Sequence, residues 1–162
     1  IKEDIKNGKG YVLRDEDGIA AYMCIDLDGE PAYKDIRGDW RLDEPYAVVH
    51  RMAFSADRQG KGLSTEAFRL IDEACLSMGV RYIRIDTAPD NKRMQHVMEK
   101  NGFVRCGVIV FQGSDKWAYD KIITARSSGH FLYSLYNIWW KNKKVSLDYK
   151  FHSASVNRSR HM

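Results

Sequence analysis

The stretch Gln59–Thr65 separates two different hydrophobic patterns, and this change of pattern constrains the fold more than any other feature of the chain. Residues 47–54 are rich in β-branched and apolar side chains, which is typical of a strand. After the stretch, apolar residues recur at the spacing of an amphipathic helix, namely Leu63, Ala67, Phe68, Ile71, Ala74, Cys75 and Met78. The sequence therefore predicts a strand, a glycine-containing turn and a helix, in that order.

This arrangement is suited to holding a phosphate group. Glycine can adopt positive φ and lets the backbone approach an anion closely. The first amides of a helix have no partner within it, and the helix dipole favours negative charge there. We predict a pyrophosphate cradle, with an ordinary strand-to-helix turn as the alternative. Its residues are Gln59, Gly60, Lys61, Gly62, Leu63, Ser64 and Thr65, with Lys61 adding charge at the rim.

Two widespread phosphate-binding loops do not match this stretch. The P-loop needs a lysine directly after its second conserved glycine, whereas Lys61 lies between Gly60 and Gly62. The dinucleotide-binding fingerprint begins in the same way but needs a third glycine, and Thr65 occupies that position.

The stretch does resemble the acyl-CoA loop Q/R-x-x-G-x-G/A of the GNAT superfamily of N-acyltransferases. Gln59 and Gly62 match this loop, and Ser64 replaces its Gly or Ala. A second block follows a strand-like run at 82–87 and is similar to the family pattern N-x-x-(short helix)-x-K-x-G-F, through Asn91, Lys100, Gly102 and Phe103. The two blocks occur in the family's order and spacing, so the resemblance covers roughly residues 10–122.

The resemblance implies an α+β (α/β) fold with a mixed, mostly antiparallel central sheet flanked by helices. The elements read from the sequence follow the order α-β-β-β-α-β-α-β-β. Relative to the family, the first strand and first helix are missing, so the fold is expected to be truncated at the N-terminus. Residues 30–45 show no clean period and are interpreted as a long loop, a feature that is usually functional.

The length indicates one domain, which the resemblance places at residues 1–122 as an acyl-CoA-binding domain. An aromatic and basic C-terminal extension follows at 123–162, and it is expected to be partly disordered, over its polar end at 153–162. The extension holds Asp148 as its single acidic residue and seven basic ones: Arg126, Lys141, Lys143, Lys144, Lys150, Arg158 and Arg160. The positive net charge of the chain, +4, therefore belongs to this extension. It is interpreted as a segment packed on the domain. Binding to nucleic acid or to an acidic membrane surface, and a tail without an evolved role, are the alternatives.

Several function classes are disfavoured by the composition. No apolar run is long enough for a transmembrane helix, and the charged opening residues do not resemble a signal peptide. The three cysteines, Cys24, Cys75 and Cys106, are isolated, which favours reduced, buried thiols in a cytoplasmic protein. No His, Cys and Asp cluster has metal-ligand spacing, so no metal is predicted.

The resemblance also assigns residues to the cofactor, acetyl-CoA. In the family, the strand before the loop offers backbone groups to the pantetheine arm, which places Met52, Ala53 and Phe54 against it. Their amides are candidates for polarising the thioester carbonyl. Asn91 lies where the family often places a side chain that binds the cofactor. Capping the next helix is a second, compatible role.

The base that deprotonates the amine has three candidates: His50, Glu44 and Asp86. Imidazole titrates near neutral pH and suits this role, although His50 is also explained as a structural histidine. Its alternation with Met52 suggests that the two share a strand face. Asp86 ends a strand beside the expected cleft, where it could instead cap a turn, and Glu44 lies in the long loop. A water relay could replace all three.

One departure from the family concerns the proton donor. Many members carry a tyrosine as general acid where this chain has Met98, and a thioether cannot donate a proton.

From the resemblance, the chain is interpreted as an acyl-CoA-dependent N-acyltransferase, transferring acetyl to a primary amine on a small molecule or peptide. A catalytically weak acyl-CoA-binding module is the alternative. A homodimer is left open, no membrane partner is expected, and nucleic acid is disfavoured as a partner.

Overall fold

The computed structural model describes residues 1–58, 62–124, 138–140 and 143–149. Its helices are α1 Lys2–Lys6, α2 Leu63–Ser77 and α3 Lys92–Lys100. Its strands are β1 Gly10–Asp15, β2 Gly18–Asp26, β3 Arg37–Gly38, β4 Ala47–Phe54, β5 Tyr82–Thr87, β6 Val104–Phe111, β7 Ser114–Ile122, β8 Ile138–Trp140 and β9 Lys143–Tyr149. Within these ranges, no helix has both the length and the apolar character needed to cross a bilayer.

The strands form one mixed sheet in the order β3-β6-β7-β5-β4-β2-β1-β9-β8. Neighbouring strands in the described part of the chain run antiparallel, except for the parallel pair β4 and β5. The α+β fold with a mostly antiparallel sheet flanked by helices is therefore confirmed. The expected helices and strands all occur, and three further strands, β3, β8 and β9, are additions to them.

The two faces of the sheet are covered differently. Helices α2 and α3 cover one face over the main hydrophobic core, where the Phe68 and Phe103 rings lie 5.1 Å apart between centroids. The other face carries a smaller core centred on Tyr33, Val48 and Ala118. Alternation along the strands produces this division, because neighbouring residues of a strand point to opposite faces. Trp117 and Tyr119 accordingly belong to the helix side, and Ala118 belongs to the other side.

The segment expected to be a long loop has more structure than predicted. Pro31–Asp35 forms a 3-10 turn, and β3 pairs with β6. The guanidinium of Arg84 lies 4.4 Å from the centroid of the Trp40 ring and 3.9 Å from that of Tyr46. These contacts attach the segment to the sheet face opposite the helices, which explains its lack of a simple period.

Part of the C-terminal extension joins the sheet. Strand β9 pairs with β1 along the sheet edge, with Leu13 opposite Leu147, and β8 pairs with β9. The expected disorder at 153–162 falls outside the described residues, as do 125–137, 141–142 and 150–152. Most of the aromatic run at 131–140 also lies there.

Candidate active site

A cleft opens between β4 and β5 at their C-terminal ends. The two strands pair only through Ala47 with Ile83 and Val48 with Arg84 in the described structure. Both strands continue beyond these pairs, to Phe54 and Thr87. They therefore diverge, and their facing edges are open to a ligand. Ligands of α/β sheets commonly bind at the carboxyl ends of strands.

A β-bulge at Arg51 shapes the β4 side of this cleft. Cys24 lies opposite His50 and Tyr22 lies opposite Ala53, so β4 has one residue more than β2 between these pairs. Arg51 takes a φ of 56°, which is unusual for a residue other than glycine. The bulge interrupts the alternation of side chains along β4.

The expectation that His50 and Met52 share a strand face is wrong because of this bulge. Met52 packs with the helix-side core that contains Val49, and Val48 belongs to the opposite core. Alternation from Val48 places His50 on the sheet face opposite the helices, which is called the loop side. The extra residue of the bulge returns Met52 to the face covered by α2 and α3, the helix side. Both still border the cleft, since it runs between the two faces.

The bulge is anchored to helix α1. Asp4 is buried and accepts hydrogen bonds from the Arg51 guanidinium and from the Tyr22 hydroxyl, the latter at 2.8 Å. The hydrogen bond from Arg51 lowers the pKa of the Asp4 carboxyl to about 2. Because this pKa lies below the ordinary value of 3.8, the ionised Asp4 carboxylate stabilises the fold at pH values above 3.8.

We therefore expect Asp4→Asn to lower the free energy of unfolding by about 1–2 kcal/mol near neutral pH, after allowance for the exposure of Arg51. This difference in the free energy of unfolding should shrink as the pH falls from about 4 towards 2, because Asp4 then becomes protonated in the folded state as well as in the unfolded state. Urea unfolding followed by tryptophan fluorescence at several pH values measures it. A difference that stays constant over this range contradicts the assignment.

One cavity, the helix-side groove, has a volume of about 460 Å³ and lies between α2, α3 and the end of β4. Apolar side chains and cationic ones both line it. Its lining comprises Met52, Phe54, Gly62, Leu63, Ser64, Thr65, Asn91, Arg93, Met94, His96, Val97 and Lys100. It thus combines an apolar wall with positive charge and a helix N-terminus.

The N-terminus of α2 faces this groove without a side-chain cap. Gly62 precedes the helix with a φ of +79°, a conformation that favours glycine. Helix α3 differs, because the Asn91 side chain accepts a hydrogen bond from the Met94 amide at 3.1 Å. Gln59, Gly60 and Lys61, the other predicted cradle residues, lie outside the described part of the chain.

The second cavity, the loop-side cavity, has a volume of about 590 Å³. Charged side chains of both signs line it: Asp4, Asp26, Glu30, Asp86, Arg51 and Lys116, together with His50. Its other walls are Cys24, Val49, Met52, Ile85, Thr87, Ala88, Asn91, Met94, Phe111 and Gln112. Asp4 is already paired with Arg51, and Asp26 with Lys9 at 2.8 Å, so these two carboxylates have cationic partners.

Three residues belong to both cavities: Met52, Asn91 and Met94. The groove and the cavity therefore meet at the gap between β4 and β5. A long molecule in the groove can reach this junction from the helix side, and a second molecule can reach it from the loop side. Such a layout suits a reaction between two substrates that are bound separately.

Asp86 lies on the loop side, next to the junction. Its carboxylate accepts a hydrogen bond from the Tyr33 hydroxyl at 2.8 Å. Burial raises the pKa of the Asp86 carboxyl, and the Tyr33 hydrogen bond and the nearby His50 and Lys116 side chains oppose that rise. Asp86 and His50 thus lie in one cavity and interact electrostatically.

The structure does not bring Glu44 to this site. Its carboxylate forms an ion pair with Arg81 at 2.6 Å, and it is not among the residues that line either cavity. Arg81 precedes β5, and Asp86 is near the other end of that strand, roughly 16 Å away at the usual rise per residue. Ala53 is exposed and also lies outside both linings, whereas Met52 and Phe54 line the groove.

Some residues of the site were not predicted from the sequence. Tyr33 reaches it from the 3-10 turn, Arg93 from the first turn of α3, and Lys116 from β7. Met98 is fully buried in the helix-side core, so it is a packing residue. Cys24 borders the loop-side cavity, but burial raises the pKa of its thiol to about 11, which disfavours a thiolate.

The three cysteines are free, and Cys24 and Cys75 are buried as predicted. Cys106 is only partly buried, so the prediction of a buried thiol is wrong at that position. In the described ranges, no group of three or more His, Cys, Asp or Glu side chains is arranged to hold a metal ion.

Comparisons with known proteins show the family of this chain. The model of the Acetyltransferase (GNAT) family matches residues 2–103. A GNAT-family acetyltransferase structure from Streptococcus agalactiae is 30% identical, with a TM-score of 0.70 over 76% of this chain and 70% of that one. A GNAT-family acetyltransferase from Listeria monocytogenes is 23% identical, with a TM-score of 0.60 over 75% and 69%.

A third solved structure shares the fold at lower identity. It is an aminoglycoside acetyltransferase bound to coenzyme A and kanamycin, 21% identical, with a TM-score of 0.56 over 73% of this chain and 67% of that one. A search of curated protein sequences finds no match. The family match spans strands β1 to β5 and both helices of the groove, and the chain therefore belongs to the GNAT family of acetyltransferases.

Proposed function

We propose that this protein transfers the acetyl group of acetyl-CoA to a primary amine on a small molecule. The observation that carries the proposal is the junction at Met52, Asn91 and Met94, where two cavities of different chemistry meet between the diverging strands. The helix-side groove is assigned to the cofactor and the loop-side cavity to the amine.

The residues of the groove fit acetyl-CoA. The uncapped amides at the start of α2 and the side chains of Arg93 and Lys100 suit its phosphates. Met52 and Phe54 offer an apolar wall to the uncharged arm that links the phosphates to the thioester. Asn91 keeps its capping role at the junction. Acetyl-CoA supplies an acetyl group activated as a thioester.

The charges of the loop-side cavity suit an ammonium group. Asp86 and Glu30 accept hydrogen bonds from neutral donors, the Tyr33 hydroxyl and the Ala32 amide at 3.1 Å, rather than forming ion pairs in the described structure. They can therefore attract the acceptor in its protonated form. Lys116 lines the same cavity and favours acceptors that also carry an anionic group.

His50 is the proposed base, because it borders the same cavity as Asp86. It takes a proton from the ammonium nitrogen, directly or through one water. The neutral nitrogen then forms the amide bond to the acetyl carbon as the carbon–sulfur bond breaks, and the second proton of the amine passes to solvent. The thiolate takes its proton from solvent, since Met98 has none to give. Backbone amides of β4 near Met52 are candidates for stabilising the developing oxyanion.

The release of free CoA thiol from acetyl-CoA, measured with a panel of amines, tests this function. The panel pairs each alkylamine with the amino acid of the same chain length and with the diamine, so that charge is varied at constant size. Faster release with at least one amine supports transfer. If acetyl-CoA binds tightly but no amine of the panel causes release of CoA thiol, the result supports the alternative, a binding module.

We also propose that residues 1–124 suffice for cofactor binding. The described residues that line the groove and the cavity all precede Trp117. Ile123 is buried in the core and donates its amide to the Arg81 carbonyl at 2.8 Å, so the shortened chain should end after Thr124.

A chain that ends at Thr124 is expected to bind acetyl-CoA within about threefold of the full-length affinity, because distant contacts contribute little to binding at the groove. Calorimetry measures the affinity, and circular dichroism checks the fold. Loss of binding in a well-folded short chain shows that the extension is part of the site.

A further inference from the structure

We propose that Tyr33 is a positioning residue that keeps the Asp86 carboxylate ionised and aimed into the loop-side cavity, where it holds the ammonium group of the acceptor. This inference rests on the proposed function. It concerns a residue that touches neither the cofactor groove nor the reacting atoms, and it gives the 30–46 segment a role in the reaction.

Tyr33 is held firmly enough for this role. Its side chain is 1% exposed and belongs to the core of the loop-side face. Trp40 donates its indole N–H to the Tyr33 carbonyl at 2.8 Å, and the two rings lie 5.2 Å apart between centroids. Burial raises the pKa of the Tyr33 hydroxyl well above its ordinary value, so the hydroxyl keeps the proton that it donates to the Asp86 carboxylate.

The hydrogen bond matters because Asp86 is partly buried. Burial favours the protonated, neutral carboxyl group, which cannot attract a cation. A hydrogen bond to the carboxylate favours the charged form instead. The other groups that act on Asp86 are His50 from β4 and Lys116 from β7, which favour its ionised form, and Glu30 from the loop, which opposes it. Of these four neighbours, Tyr33 is the neutral one, so removing its hydroxyl takes away a hydrogen bond to Asp86 without changing the charge of any neighbour.

Two variants isolate this effect. Tyr33→Phe removes the hydroxyl and keeps the ring. Tyr46→Phe is the matched control, because its ring lies 6.3 Å from that of Tyr33 in the same aromatic cluster, and it is not among the residues lining the cavity. The first measurement is the titration of the Asp86 carboxyl carbon by NMR, assigned by its loss in Asp86→Asn.

In Tyr33→Phe, the midpoint of this titration should rise by about one pH unit, and in Tyr46→Phe it should stay at the wild-type value. The second measurement is the pH profile of KM for the best amine, since the base His50 also shapes the acid limb of kcat/KM. Because ionised Asp86 binds the ammonium, the rise of KM towards low pH should begin at a pH that is higher by a similar amount in Tyr33→Phe only. The double variant Tyr33→Phe/Asp86→Asn should be no slower than Asp86→Asn alone, since the hydroxyl acts through Asp86.

An unchanged titration midpoint overturns the proposal. A raised midpoint with an unchanged pH profile of KM also overturns it, because Asp86 then does not hold the ammonium group. If the wild type acetylates no amine, the proposed function fails, and the NMR titration still decides whether Tyr33 keeps Asp86 ionised.

Discussion

Replacing His50 with glutamine is expected to lower kcat/KM by about 10²-fold or more, which is the usual scale for general acid–base catalysis. His50 borders the loop-side cavity beside Asp86 and next to the junction with the groove. Glutamine keeps the size and hydrogen-bonding capacity of the side chain but does not titrate. Steady-state kinetics with the best amine measure the loss.

The affinity for acetyl-CoA is the internal control for this variant. His50 is not among the residues that line the groove, so calorimetry should give nearly the wild-type dissociation constant. A second variant, His50→Ala, should regain part of its activity when free imidazole is added. Wild-type kcat/KM with the same pH profile in His50→Gln would rule out His50 as the base and favour a water relay.

The second large effect is expected for Gly62→Glu, which places a carboxylate at the N-terminus of α2. The affinity for acetyl-CoA should fall about tenfold or more, because two negative charges a few ångströms apart repel by about 1–4 kcal/mol near a protein surface. An added Cβ at Gly62 meets no atom within 4 Å, so the loss is electrostatic rather than steric. Calorimetry of acetyl-CoA binding measures it.

Gly79→Glu is a closely matched control. Gly79 has a φ of +78°, close to the +79° of Gly62. It follows the C-terminal end of α2, whereas Gly62 precedes the N-terminal end, and an added Cβ meets no atom within 4 Å at either glycine. Both variants therefore carry the same backbone strain and the same added charge. If Gly79→Glu weakens acetyl-CoA binding as much as Gly62→Glu does, the assignment of the phosphates to the start of α2 is wrong.

The elements of the fold were predictable from the sequence because each has a local signal. The apolar spacing after Gly62 predicts α2, and Gly102 predicts the end of α3, which the structure places at Lys100. Local signals also predict that Asn91 caps α3, and its side chain does so. Each of these predictions depends on residues close together in the chain.

The geometry of the candidate site was less predictable because it depends on contacts between distant residues. The bulge at Arg51 appears only when β4 is paired with β2, and it moves His50 and Met52 to opposite faces. The hydrogen bond from Tyr33 to Asp86 joins residues 53 positions apart. Glu44 looked equivalent to Asp86 in the sequence, yet its partner Arg81 holds it at the other end of β5.

The central claim is that acetyl groups pass from the helix-side groove to an amine in the loop-side cavity. The most direct measurement incubates the wild-type protein with acetyl-CoA carrying an isotope-labelled acetyl group and with the amine panel, and identifies products by mass spectrometry. The account predicts that the labelled acetyl group appears on the nitrogen of at least one cationic amine, at a much lower rate with His50→Gln. Free CoA without any acetylated amine, or equal yields with both proteins, would contradict it.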